Sequence, residues 1–434
     1  MKKNVLKYCL LFVGLIMFYM CSLTLLSSFM PERIKTNIKT SSVTLSNEGN
    51  WPERQILYRG YGLSFDNYTD AVALSTIWSV NTQKPFRSAM LMPHDGMRAR
   101  RERSGNLESS DAVGDLAKTI EGETYGTEYA RYWHGYILWL KPLLLITDLS
   151  GIRVMLTIVL ILLLLILLGG MIKDGYRTHA VILGLGLMCG DYLYMGTSLQ
   201  GVSVFLITMI ASILLWYKKK DISGLVFFIS GSLIAFMDLL TVPLLGLTIP
   251  LVVYQIKERD TVKTFIKHTI LWCVGFGLTW ASKWILTDVF FHRRILKTAF
   301  TQMMWRTAGE GDVTFNMTLV ICLLFVRSFL LPALIAIIIL TIAIVVERKI
   351  VKANFKNSYL YLILAISPFI WYIVFKAHSF YHAYFAYRNL VTFFVGTFLF
   401  LYSLLERKSD GSKRVNNRHP RAKRESIDDD NDNK

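Results

Sequence analysis

The chain has 434 residues, 53% of them hydrophobic and only 18% charged, with a mean hydropathy of +0.40. A soluble domain carries about 25% charged residues, whereas the apolar residues here gather in runs that match the roughly 20 residues a helix needs to cross a membrane. A soluble enzyme is excluded. The net charge of +17 is not a nucleic-acid footprint: Lys and Arg collect in short loops, as the positive-inside rule expects, and no basic stripe interleaved with aromatics lies outside the apolar runs.

Lys2 and Lys3 precede an apolar run from Val5 to Phe29. The run is longer than a secretory signal core and lacks a small-residue cleavage site, so it reads as an uncleaved anchor entering from the cytoplasm. Residues 31–150 form a large polar segment on the outer side. Its first part, Thr36 to Asn50, is rich in Ser, Thr and Asn and reads as irregular. The run FDNYTDAVAL, Phe65 to Leu74, places Asp66 and Asp70 four residues apart where a short helix, Ala71 to Val80, is predicted. Met97 to Asp115 is charged and reads as mobile.

Thr127 to Ile146, TEYARYWHGYILWLKPLLLI, carries Tyr129, Tyr132, Trp133 and Tyr136 at helical spacing. Trp and Tyr favour the headgroup level, and Arg131, His134 and Lys141 make the stretch too polar to cross. It is expected to be a helix lying in the interface. Nine further spans follow, at residues 151–172, 178–197, 200–217, 222–240, 241–256, 264–287, 316–347, 358–376 and 384–405. The expectation is an all-α polytopic membrane protein of about ten transmembrane helices with both termini cytoplasmic. Residues 316–347 are too long for one span, and counting back from Glu347 puts Arg327 at the outer boundary. Lys and Arg mark the inner loops, but the loop after Asp288 breaks the pattern with Arg293, Arg294, Lys297 and Arg306 outside; anion binding would explain this. The tail, residues 406–434, has no apolar periodicity and reads as disordered.

Charged groups inside spans are costly and mark function by default. Counted from the cytoplasmic helix ends at 1.5 Å per residue, Asp191, Asp238 and Lys283 lie at heights of roughly 20, 24 and 28 Å. KAHSFYHAYFAYR brings His378, His382 and Arg388 to the same outer level. A mixture of carboxylates and cations at one depth suits an anionic, lipid-tethered substrate. Plainer readings stand beside it: Asp238 capping a break near Pro243, Asp191 paired with Lys283, Arg388 snorkelling. His378 and His382 are four apart without a third ligand at metal-site spacing, which favours hydrogen bonding over a metal. The five cysteines all lie in apolar runs, leaving neither a disulfide framework nor zinc spacing.

About ten spans, a large first outer loop with a carboxylate near its start, and an interfacial helix before the second span together resemble the GT-C superfamily of membrane glycosyltransferases. YARYWHGYILWLKPLL, FMDLLTVPL, WASKW and KAHSFYHAYFAYR look like pieces of bacterial membrane proteins of surface-polysaccharide loci. The resemblance covers most of residues 1–405 as architecture and short patterns. It implies transfer of a sugar from a polyprenyl-phosphate donor to a glycan or lipid-linked acceptor at the outer leaflet of a bacterial cell membrane, with inversion and no separate cofactor. The base it implies maps onto Asp70 or Asp66; the tight acidic pair of some relatives is missing. Asp70 is preferred, because an apolar stripe follows it directly, and an N-cap role for it is the competing reading. Asp191, Asp238, Lys283, Arg327, His378, His382, Arg388, Arg131 and His134 are the expected substrate contacts, with Arg388, Lys283 or Arg327 meeting the phosphate. The alternatives are a lipid-linked oligosaccharide flippase or transporter, and a polysaccharide polymerase.

Overall fold

The computed structural model describes residues 2–58, 61–64, 66–94, 111–124, 126–199, 201–259, 261–308, 330–347 and 358–405. Arg327, the tail and residues 97–110 of the stretch expected to be mobile lie outside the described residues. The chain opens with a long helix α1 (Lys2–Ser27), lined by lipid-type side chains such as Leu6, Leu10 and Val13 that stay exposed. Its carbonyl end is closed from elsewhere: Lys141 Nζ donates to Leu26 O and Phe29 O at 2.6 and 2.7 Å. A buried ammonium is tolerable only when its protons are satisfied in this way.

The polar segment after α1 is more regular than its composition suggests. Residues 36–48, expected to be irregular, belong to helix α2 (Glu32–Glu48). The reason is a stripe hidden among the polar residues: Ile34, Ile38, Ser41, Ser42 and Leu45 are all buried at helical spacing. Two short antiparallel pairs interrupt the helices, the hairpin β1 (Glu53–Tyr58) with β2 (Tyr61–Ser64), and the long-range pair β3 (Pro93–His94) with β4 (Thr127–Glu128). Helices α3 (Asn67–Trp78) and α4 (Pro85–Leu91) lie between β2 and β3, and α5 (Ala112–Glu121) lies between β3 and β4.

The expected interfacial helix over residues 127–146 is shorter and deeper than predicted. Helix α6 (Ile137–Leu143) starts only after His134, whose φ of 56° ends any helical run from the N-terminal side. The aromatics before it pack into the protein. Trp133 and Tyr136 are fully buried, and Trp133 Nε1 donates to Thr279 O at 2.8 Å. Tyr19 stacks on Phe236 at 3.8 Å, so α1, this loop and the later spans share one aromatic core.

The remaining helices are α7 (Leu149–Lys173), α8 (Arg177–Cys189), α9 (Val202–Tyr217), α10 (Ser223–Met237), α11 (Leu245–Glu258), α12 (Val262–Phe291), α13 (Ile295–Ala308), α14 (Leu330–Glu347), α15 (Tyr359–Val374), two short turns α16 (Lys376–Tyr381) and α17 (Ala383–Ala386), and α18 (Leu390–Leu405). Helices α10 and α12 cross in direct backbone contact, because a Cβ on Gly231 or Gly275 would collide with the facing carbonyls of Trp272 and Phe228.

The protein is therefore a helical membrane protein, with five segments among the described residues long and apolar enough to cross: Val5–Ser27, Leu149–Lys173, Lys220–Met237, Val262–Phe291 and Ala383–Ser403. Among the described residues the helices do not amount to ten full-length spans. Each predicted span does contain an apolar helix, but α8, α9, α11 and α15 have only 13, 16, 14 and 16 residues. At 1.5 Å per residue that is roughly 20–24 Å against a core of about 30 Å.

Candidate functional site

The shortfall in helix length is concentrated at one place. After α8 the chain turns at Asp191, with φ 58°, and runs as a 3-10 helix from Tyr192 to Thr197 before α9. After α10 it is extended at Asp238 and left-handed at Leu240 before α11. After α15 it breaks again through α16, α17 and a 3-10 turn, Tyr387–Asn389. Non-helical backbone at membrane depth persists only where it is buried in protein or lines a cavity. A cleft lies there, lined by Tyr194, Met195, Ser198 and Gly201 from the first break, Thr241 and Val242 from the second, Tyr384, Phe385 and Arg388 from the third, and Asp66 from the start of α3.

Asp66, not Asp70, is the N-cap of α3. Its carboxylate accepts from Thr69 N at 2.8 Å and from Thr69 Oγ1 at 2.6 Å. It is partly buried and faces the cleft, and burial pushes its pKa up against the opposing pull of the Thr69 hydrogen bonds and the Arg388 charge. Asp70 sits one turn further in and is 1% exposed. Its Oδ1 accepts from Leu199 N at 2.9 Å, and Arg153 Nη2 stands 3.9 Å from Oδ2.

Around that contact lies a network the sequence reading missed. Arg153, at the start of α7, donates from Nη1 to both oxygens of Glu48 at 2.9 Å, from Nη2 to Asn67 Oδ1 at 2.9 Å and from Nε to Thr197 O at 3.0 Å. Asn67 Nδ2 returns to Glu48 at 2.8 Å. A fork of this kind fixes geometry as well as charge. It locks α2, α3 and α7 to the first break, one side of the cleft. An arginine three residues inside the apolar run at 151–172 was the available signal.

Arg388 is 6% exposed and stands 4.0 Å from Asp191 Oδ2, while Nη1 donates to Tyr384 O at 3.3 Å. Tyr387 also donates its hydroxyl to Asp191. The pairing of Asp191 with Lys283, the plainer alternative, does not form. Lys283 is fully buried on α12, with Nζ donating to Met90 O at 2.8 Å over the ring of Trp133. A one-dimensional count of height placed the two lysine and aspartate groups at one depth but carried no information about which helices are neighbours. Arg388 Nε and both side-chain polar atoms of Asn389 are buried and have no hydrogen-bond partner among the described residues.

Asp238 does what its capping reading says: its carboxylate accepts from Thr241 N at 2.9 Å and from Thr241 Oγ1 at 2.5 Å, which orients the cleft-lining Thr241. The histidines form a chain leading away from the cleft. Tyr384 Oη lies 3.4 Å from His382 Nδ1, the His382 and His378 rings are 4.7 Å apart, and Arg306 Nη1 donates to His378 Nδ1 at 2.5 Å. Arg306 also reaches Tyr132 Oη at 2.8 Å. Burial holds both histidines low, His382 at about 4, with the Arg306 charge adding to the effect. Both are neutral near pH 7. His134 bonds Tyr136 Oη and Tyr129 O, each at 2.9 Å, and burial lowers it to about 3. Arg131 lies over Tyr129 and gives its carbonyl to Trp284 Nε1 at 2.9 Å. These last two residues are not on an interfacial helix but in the turn before α6, where they join the packing of α12. Among the described residues no group of three or more His, Cys, Asp or Glu side chains converges as metal ligands.

Comparison of the chain with protein-family models, with curated proteins and with solved structures finds no match.

Proposed function

We propose that the protein is a membrane glycosyltransferase of the outer leaflet, moving a sugar from a polyprenyl-phosphate donor to a surface glycan or lipid-linked acceptor. The observation that carries this reading is the sharing of one cleft by Asp66, the N-cap of α3, and Arg388, in the 3-10 turn before the last helix. In this reading ten helices pass the bacterial cell membrane, the short ones stopping at the cleft, and both termini are cytoplasmic.

The chemistry follows from the two groups. The acceptor hydroxyl gives its proton to the Asp66 carboxylate, which burial has made more basic than an ordinary aspartate. Its oxygen bonds the anomeric carbon as the carbon–oxygen bond to the lipid phosphate breaks, and the electron pair leaves with the phosphate. The Arg388 guanidinium meets that developing charge in a poorly hydrated wall, where a fixed cation is worth most. One displacement inverts the sugar carbon. Asp70, Glu48, Asn67 and Arg153 hold the first break in place and touch no substrate.

The test is transfer by the purified full-length protein from a panel of labelled polyprenyl-phosphate sugars to a glycan acceptor. A labelled product from the parent, with a donor KM raised by Arg388→Ala, supports the reading. No product from any donor in the panel contradicts it. One observation favours a second reading, a lipid-linked glycan transporter: broken helices surround transporter sites as well. A transporter would move labelled donor across vesicles without changing it.

A further inference from the structure

We infer that Trp51, Tyr68 and Tyr384 form a saccharide platform beside the cleft, taking the C–H face of a neutral pyranose of the acceptor glycan. The inference rests on the glycosyltransferase reading for the word acceptor, but not for the binding itself. Trp51 stacks on Tyr68 with ring centroids 5.5 Å apart and planes within 8°, and meets Tyr384 edge-on at 4.8 Å. Tyr384 lines the cleft, and Tyr68 lies two residues from Asp66. Yet Trp51 remains 43% exposed. A large indole left open against two partly buried aromatics is an unfinished stack. Sugar rings complete such stacks because one face of a pyranose is lined with C–H bonds while its edge carries hydroxyls. Asp66, Ser198, Thr241 and Arg388 supply acceptors and donors for those hydroxyls in the adjoining cleft.

The loop that presents Trp51 is held on both sides. Gly49 closes α2 with φ 79°, a conformation that L side chains rarely adopt. Asn67 Nδ2 donates to Gly49 O at 3.0 Å and Tyr68 N to Asn50 O at 3.2 Å. The Asn50 amide is used at both ends, donating to Asp111 Oδ1 at 2.7 Å and accepting from Val113 N at 3.1 Å. Fixing a contact residue before binding removes an ordering cost from the encounter. A tryptophan can also serve as a headgroup anchor. Here the polar tethers of Glu48, Asn50 and Asn67 around the loop, and its contact with a cleft residue, favour the saccharide.

Saturation-transfer NMR on the full-length protein in nanodiscs tests this with cellotriose and chitotriose as probes. The platform predicts saturation of ring C–H protons in the parent, about tenfold weaker apparent affinity in Trp51→Ala, and partial retention in Trp51→Phe. Unchanged transfer of saturation in Trp51→Ala, or none from either probe to the parent, overturns it. A parallel measurement uses brominated lipids: strong quenching of the fluorescence lost in Trp51→Phe would make Trp51 a membrane anchor and overturn the platform too. Because binding is read without turnover, Trp51-dependent saturation in a protein that transfers no sugar would sink the glycosyltransferase reading alone.

Discussion

The carboxylate of Asp70 holds the backbone N–H of Leu199 at 2.9 Å, across 129 residues of sequence. That single bond joins the start of α3, which Asp66 caps, to the first helix break lining the cleft. It gives the two aspartates different jobs. Asp66 faces the cleft; Asp70 holds its wall.

The first prediction concerns Asp70. Asn keeps an oxygen for the Leu199 amide, so Asp70→Asn is expected to fold and to turn over near the parent rate. Asp70→Ala leaves that buried amide without its acceptor, at a cost of about 1–3 kcal/mol. Thermal unfolding of the two variants, with turnover per folded molecule, checks this. A dead, normally folded Asp70→Asn would return the base to Asp70.

Lys283 should behave as a structural pin. Lys283→Met removes the donor to Met90 O and is expected to lower the melting temperature while leaving the donor KM of the folded fraction unchanged. A raised KM at normal stability would place Lys283 on substrate after all.

Burial raises the Asp66 pKa while Thr69 draws it down. A base must be ionised, so activity should rise with pH through that raised value, an acid limb above the roughly 3.9 of a free aspartate. Removing the Thr69 hydroxyl removes a stabiliser of the charged form, and Thr69→Val should move the limb to higher pH. The pH profile of kcat/KM for the two proteins reads this directly. A limb that stays in place detaches Asp66 from the rate.

What could be read from the sequence was governed by distance along the chain. The apolar helices, the long polar segment after the first of them and the polar positions near the helix breaks were legible, because periodicity and charge are local. Arg388 and Asp191 could be ranked by depth, but their pairing could not, since height says nothing about neighbours. The capping assignment went to Asp70 because the apolar stripe begins there; the helix starts one turn earlier because Asp66 and Thr69 close on each other. Residues 36–48 hid a buried stripe under polar composition. Residues 127–136 showed helical spacing of aromatics that the core used in a turn instead, with His134 in a left-handed conformation.

Topology is open to a separate check. In a cysteine-free background, Glu123→Cys should react with an impermeant reagent in intact cells and Lys219→Cys should not. Labelling at 219 would overturn the orientation, and with it the placing of the cleft at the outer leaflet.

The most direct test of the account is the turnover of Asp66→Asn. Asn caps a helix about as well as Asp, so α3 and the melting temperature should be kept, but a carboxamide cannot take a proton at neutral pH. In the sugar-transfer assay with the full-length protein, turnover is predicted to fall by roughly a hundredfold or more, with Asp70→Asn measured alongside and near normal. Full turnover by Asp66→Asn, at normal protein level and stability, would contradict the assignment of the base.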